Sequence, residues 1–313
     1  MNEILFFMLG LLGLWIGSEF IMRGALGLSR NLGWSEGFIG MIILSLGTDL
    51  PEIVVSVTGA IEQNKGMDTS GIVVGNVIGS NLGQMVLTFG LVGLLGGVIK
   101  IPKKEGWSQG ISLILATVLF LVVASDGLIS QQDGWILLLS YGLYFLFVSR
   151  MNHKARPLKK AKKQNLIKLL AYLLIGLGII FQASEWVISS GVELAIQFGI
   201  NQLVVGSILV GIGTSLPELV VSMSALAKGA REMSLGNLVG SNIVDILLAL
   251  GLGATISPWK VDRQVAMFDL PFLLFCMVIV VMFMLSRKKL ERKESVLMLS
   301  LYAVYVSLKL IGW

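Results

Sequence analysis

Apolar residues in this chain come in long runs, each closed by a short polar cluster. The runs cover roughly 3–29, 37–61, 71–98, 108–125, 134–149, 168–190, 202–226, 235–256, 264–286 and 295–312. Most approach or exceed the ~20 residues that an α-helix needs to cross about 30 Å of hydrocarbon. Inside a bilayer a span must satisfy its own backbone hydrogen bonds, so the runs predict helices. The expected fold class is all-α integral membrane, with ten transmembrane helices. Composition agrees: 55% of the 313 residues are apolar, 14% are charged, and the mean hydropathy is +0.85. That leaves too little polar surface for a soluble domain of this size. The opening Met1-Asn2-Glu3 lacks the basic segment of a cleaved signal, so the first run is expected to stay as a span.

Charge sets the orientation. The connection at 150–168 carries Arg150, Lys154, Arg156, Lys159, Lys160, Lys162, Lys163 and Lys168. The positive-inside rule places it in the cytoplasm, with five spans before it and five after, so both termini are expected outside. Twenty of the 24 Lys and Arg then lie inside, and Lys65, Lys260, Arg263 and Lys309 remain outside. The net charge of +5 is thereby accounted for by topology, and no nucleic-acid partner is implied. The one cysteine, Cys276, excludes a disulfide framework or a zinc cluster within the chain. The one histidine, His153, sits among lysines and reads as a solvated loop residue.

The chain also repeats itself. Segment 18–56 aligns with 184–222 without a gap, sharing Ser18, Glu19, Gly33, Gly40, Gly47, Thr48, Pro51, Glu52 and Ser56 with their counterparts. A second block pairs Gly75-Asn76-Val77-Ile78-Gly79-Ser80-Asn81 with Gly236-Asn237-Leu238-Val239-Gly240-Ser241-Asn242. Each half holds five spans, an odd number, so the halves should cross the membrane in opposite senses. The expected organisation is two inverted five-helix repeats, 1–149 and 168–313, joined by a basic cytoplasmic loop at 150–167. Inverted repeats recur in secondary transporters, where substrate binds near the midplane between the halves.

Two motifs carry chemistry. Gly47-Thr48-Asp49-Leu50-Pro51-Glu52 corresponds to Gly213-Thr214-Ser215-Leu216-Pro217-Glu218. Proline removes an amide donor and clashes with the preceding turn, so the second and seventh spans should kink or break there. Thr48 and Glu52 lie four residues apart, as do Thr214 and Glu218, so each pair shares a helical face. Hydroxyls and carboxylates are the hard oxygen donors that cations such as calcium prefer. In the third and eighth spans, Ser80 and Gln84, and likewise Ser241 and Asp245, are also four apart. The glycines of these spans read as a close-packing face. An ionised carboxylate at mid-span costs roughly 2.5–3.5 kcal/mol. Asp49, Glu52, Glu218 and Asp245 facing lipid would together cost about 10–14 kcal/mol. They are therefore expected to face one another and be neutralised by cations or protons, whose competition is the physical basis of antiport. Glu19 and Glu185 read as structural or gating residues. Asp126, Asp133, Asp262 and Asp269 lie near the outside ends and are expected to be solvated.

At these residues the sequence resembles the calcium/cation antiporter superfamily, and its sodium/calcium exchanger branch in particular. The resemblance covers nearly the whole chain. It implies an antiporter rather than an enzyme, with no cofactor, transporting calcium and sodium across the plasma (inner) membrane by a fold that can act as a monomer. Potassium coupling stays open. It implies cation sites between spans 2, 3, 7 and 8. Glu52 and Glu218 would be central, Thr48, Thr214, Ser215, Ser80 and Ser241 would add oxygens, and Ser45 and Gly211 would offer backbone carbonyls. Asp245 and Gln84 would occupy matching positions, and the first and sixth spans would slide against this core. One position departs: the family usually has serine where this chain has Asp49. The added carboxylate admits a proton site or another divalent cation, so a cation/proton antiporter is the nearest alternative. An intramembrane aspartyl hydrolase would want a Gly-x-Gly-Asp motif, which is absent, and leaves the paired Glu unexplained. A passive channel has no need of the inverted repeat.

Overall fold

The computed structural model describes residues 2–96, 99–100, 103–152, 164–197, 215–286, 289–290 and 292–311. Helix follows helix: α1 (Asn2–Leu32), α2 (Glu36–Thr48), α3 (Leu50–Asn64), α4 (Ser70–Leu95), α5 (Lys103–Val123), α6 (Gln131–Asn152), α7 (Leu166–Gln197), α8 (Leu216–Ala227), α9 (Arg231–Ile256), α10 (Val265–Leu285) and α11 (Arg292–Leu310). Six of these, α1, α4, α5, α7, α9 and α10, are long and apolar enough to cross a membrane. The bent pair α2–α3 makes a seventh if counted as one span. The expected spans at 134–149 and 295–312 fall on α6 and α11. The expected span at 202–226 is described only from its C-terminal part, α8. The basic residues 154–163 and His153 lie outside the described residues.

Local sequence explains the boundaries. Gly33 follows α1 in the left-handed region (φ 68°), a conformation that ends a helix and favours glycine. Ser35 then caps α2, its hydroxyl accepting from the Phe38 amide at 3.1 Å. Each of α2, α4 and α9 contains a widened, π-type stretch, at Ile39–Leu44, Gly83–Thr88 and Val244–Ala249. Such stretches recur at functional sites in helices.

Two packing patterns build the molecule. Helices α1 and α7 run together along their length, because small residues let their backbones approach. A side chain at Gly13 would meet Ala183 Cβ at 2.7 Å, and one at Gly24 would meet the Leu169 carbonyl at 2.8 Å. Helix α9 occupies the centre and packs against the π-type stretch of α2, with Gly236 set against the Gly37 carbonyl and Gly240 against that of Met41. Around this centre, α6 packs on the C-terminal half of α9, and α11 packs on the C-terminal half of α4. Short antiparallel strand pairs tie the connections: β1 (Ile99–Lys100) to β4 (Lys289–Leu290), and β2 (Leu128–Ile129) to β3 (Trp259–Lys260). Shifting the residue numbers by the repeat offset carries the α6–α9 contact onto the α11–α4 contact and the β2–β3 pair onto the β1–β4 pair.

The outer faces are apolar. Trp15, Leu115, Leu139, Leu143, Ile167 and Leu174 are each at least 60% exposed. That much exposed large apolar surface suits a lipid-facing wall. Cys276 is free and buried in α10.

Candidate functional site: a buried carboxylate cluster

The site forms where α2 and α3 meet. Pro51 has no amide to donate to the Gly47 carbonyl, and the chain bends by 46° there. Asp49, at the bend, has φ −85° and ψ 8°. Ser215, its counterpart before Leu216-Pro217, has φ −92° and ψ 7° and likewise begins a helix, α8. The same tripeptide logic thus shapes both places: a proline in the first turn is tolerated only when a new helix starts there.

The bend carries its carboxylates inward. Asp49 and Glu218 are fully buried and Glu52 is 3% exposed. One carboxylate oxygen from each of these three lies within 4.8 Å of the other two. Neither oxygen of any of the three has a hydrogen-bond partner among the described residues. Buried carboxylates without donors are costly, so a cluster of three calls for positive charge. The hydroxyls of Ser215 and Ser241 are also buried and without a partner among the described residues. Thr48 is fully buried, its hydroxyl 3.5 Å from the Ser45 carbonyl. The Ser45 hydroxyl donates back to the Met41 carbonyl at 2.6 Å, and the Ser45 carbonyl accepts from the Asp49 amide at 3.0 Å.

Asp245 sits differently. Its Oδ2 accepts from the Ser80 hydroxyl at 2.7 Å, from Asn81 Nδ2 at 3.3 Å and from Gln84 Nε2 at 3.4 Å. Its Oδ1 has no partner among the described residues. Gln84 is a bridge, because its Oε1 accepts from Asn242 Nδ2 at 2.9 Å. Ser80, Gln84 and Asp245 therefore form a hydrogen-bonded network, whereas Asp49, Glu52 and Glu218 form an unpaired cluster. Thr214 and Gly211 lie outside the described residues.

Two residues were not singled out from sequence. Asn81 and Asn242 each donate Nδ2 to the carbonyl four residues back, Val77 and Leu238, both at 2.8 Å. Each also reaches across to the other half, Asn81 to Asp245 and Asn242 to Gln84. Their matching positions in the repeat were the available signal. Among the outlying acids, Asp269 departs from its expected solvated state. It is 2% exposed and accepts from Tyr305 and Lys309, each at 3.0 Å, because α11 folds over it. Asp126 and Asp133 instead hold the turn at 125–133 through the Leu128 and Ser130 amides. Glu19 bridges helices, pairing with Arg23 at 3.0 Å and with Lys228 at 2.6 Å.

Comparison with known proteins now fits onto this geometry. The family described as sodium/calcium exchanger protein matches residues 2–150 and 168–311. The chain belongs to the sodium/calcium exchanger family. Within that family it is 27% identical to the sodium/calcium exchanger MaX1 of Methanosarcina acetivorans, covering 97% of each chain. It is 31% identical to a putative antiporter, CaxA, of Alkalimonas amylolytica, covering 84% of this chain and 83% of that one. A solved structure of the sodium-calcium exchanger NCX_Mj, soaked with Na+ and Ca2+, superposes with a TM-score of 0.83 at 28% identity, covering 98% of both chains. The exchanger family places this chain among multi-pass membrane antiporters of cations, in the calcium/cation antiporter superfamily.

Proposed function

We propose that this protein exchanges calcium for sodium by alternating access, through a site near the middle of the membrane. The observation that carries the reading is the cluster of Asp49, Glu52 and Glu218, unpaired among the described residues and drawn from the two halves of the chain. Glu52 and Glu218 act as the central ligands. Thr48, Ser215, Ser241, Thr214 and the carbonyls of Ser45 and Gly211 complete the oxygen shell. Ser80, Gln84 and Asp245 form its wall, with Asp245 Oδ1 free to reach an ion. Ten spans in two inverted repeats, with both termini outside the plasma membrane, are part of this reading. Support for the repeats comes from the contacts that map onto one another on exchange of halves and from the matched backbone angles at Asp49 and Ser215. MaX1 is named a sodium/calcium exchanger and NCX_Mj a sodium-calcium exchanger, which supports the same ion pair here.

Charge explains how such a site couples two ions. An empty cluster of buried carboxylates is unfavourable, so it holds a divalent ion or several monovalent ions more readily than nothing. One species leaves as the other compensates the charge, and the binding-competent state reorients only when neutralised.

Asp49 favours a second reading in which protons replace sodium, because it adds a carboxylate whose two oxygens have no partner among the described residues. Calcium uptake into proteoliposomes separates the two. With pH and membrane potential clamped, uptake should require outward sodium and not outward potassium. Uptake indifferent to sodium but driven by outward protons would replace sodium with protons in the exchange. Failure under both gradients would overturn calcium as the substrate.

A further inference from the structure

A second polar site lies at the opposite extreme of chemistry from the carboxylate cluster. Where α1 ends and α7 begins, a cavity of about 540 Å³ opens between α1, α7 and the end of α8. Its size falls in the range of small-ligand pockets, about 300–1,000 Å³. Four cations line it: Arg23 and Arg30 from α1, Lys168 from α7 and Lys228 from the end of α8. One carboxylate, Glu19, offsets part of this charge by pairing with both Arg23 and Lys228. Arg30 and Lys168 have no ion pair among the described residues. Lys168 lies over the Tyr172 ring, 5.7 Å from its centre. The cavity therefore holds an excess of positive charge.

The frame around it is built. Asn31 and Gln164 bond reciprocally, Nδ2 to the Gln164 carbonyl at 2.7 Å and Oδ1 from the Gln164 amide at 3.0 Å. Asn165 caps α7 by accepting from the Ile167 amide at 2.9 Å and the Lys168 amide at 3.4 Å. The cap occupies the first-turn amides, so recognition falls to the side-chain cations. The interior floor is apolar, made by Met22, Leu26 and Gly27. Beside the mouth, α7 exposes Ile167, Leu170 and Leu174 at 76%, 44% and 70%. A ligand with a phosphate head and acyl chains would satisfy both surfaces at once, whereas free phosphate would use only the cations.

We infer that this cavity binds the phosphate headgroup of an anionic phospholipid, with its chains along the exposed face of α7. Basic pockets between membrane helices take such headgroups, and each nearby Lys or Arg contributes enough to change binding about fivefold. The bound lipid would join α1 and α7 to Lys228 of the neighbouring helix, whatever ion the protein carries.

Native mass spectrometry of the full chain in neutral detergent tests this directly. Phosphatidylglycerol and phosphatidylcholine are supplied in equal amounts. The wild-type protein should retain phosphatidylglycerol in preference. The paired substitution Arg30→Gln with Lys168→Gln should lower that preference by about 25-fold, fivefold for each cation. Arg30→Lys with Lys168→Arg should restore it. Lys260→Gln with Arg263→Gln, at the other end of the bundle, should leave it unchanged. Equal retention of the two lipids by the wild type would overturn the inference whether or not the variants fold. So would an equal loss in the distant pair, which would reduce the effect to bulk charge. Displacement of phosphatidylglycerol by millimolar inorganic phosphate would make the cavity a phosphate site and overturn the lipid assignment.

Discussion

Asp49, Glu52 and Glu218 illustrate how one residue can be unfavourable for the fold and necessary for transport. Each is buried with both oxygens unpartnered among the described residues. Removing the charge from one of them should relieve the ion-free protein and disable the ion-bound one. Glu52→Gln and Glu218→Gln are therefore expected to keep a monodisperse, helical protein and to abolish calcium exchange. In chelator their melting temperatures should rise by a few degrees, since an unpaired buried charge costs on the order of 1–3 kcal/mol or more. Added calcium should then stabilise the wild type and not the variants. Retained exchange in both variants would remove the cluster as the ion site. Asp49→Ser restores the residue usual in the family and leaves Glu52 and Glu218 in place. Its expected effect is a changed ion preference or pH dependence of uptake, read with the same vesicles across a pH series. An unchanged profile would make Asp49 a bystander.

At the scale of elements, the carboxylates are delivered by close contact between α2 and α9. Gly236 and Gly240 bring α9 against the α2 backbone, and a side chain at Gly240 would lie 2.5 Å from the Met41 carbonyl and 2.8 Å from the Ser45 hydroxyl. Backbone cannot yield as a flexible side chain can. Gly240→Val is expected to destabilise by about 1–3 kcal/mol, and to impair transport by pushing α2, with Ser45 and Thr48, away from Asp245. Gly142→Ala in α6 is the control: nothing lies within 4 Å of its added carbon. There helix propensity alone acts, and the change should stabilise by up to about 1 kcal/mol. Thermal melts of the two variants in one detergent check the contrast. Equal melting temperatures would mean that the α2–α9 contact relaxes without cost.

At the scale of the whole molecule, orientation follows from the distribution of basic residues. Lys65 and Arg231 should lie on opposite sides of the membrane, Lys65 outside and Arg231 inside. Cys276 is buried, so the native chain offers a silent background for labelling. Lys65→Cys should react with an impermeant maleimide added to intact cells, and Arg231→Cys only after the membrane is opened. The reverse pattern would invert the topology, and equal reaction of both would break the positive-inside assignment.

The sequence alone determined the helical class, the bend before Leu50-Pro51-Glu52 and the burial of Asp49, Glu52, Glu218 and Asp245. These depend on local causes: run length against bilayer thickness, the missing proline amide and the cost of charge in hydrocarbon. It also carried the family resemblance, because the paired motifs are contiguous in the chain. Tertiary structure decided which acids share a cluster. Asp49, Glu52 and Glu218 come together unpaired, whereas Asp245 is already held by Ser80, Asn81 and Gln84 from the other half. It decided too that Asp269 is buried, because α11 covers it, and that Arg30, Lys168 and Lys228 share a cavity. Such outcomes depend on how helices far apart in sequence pack, and spacing along a single helix carries no record of that.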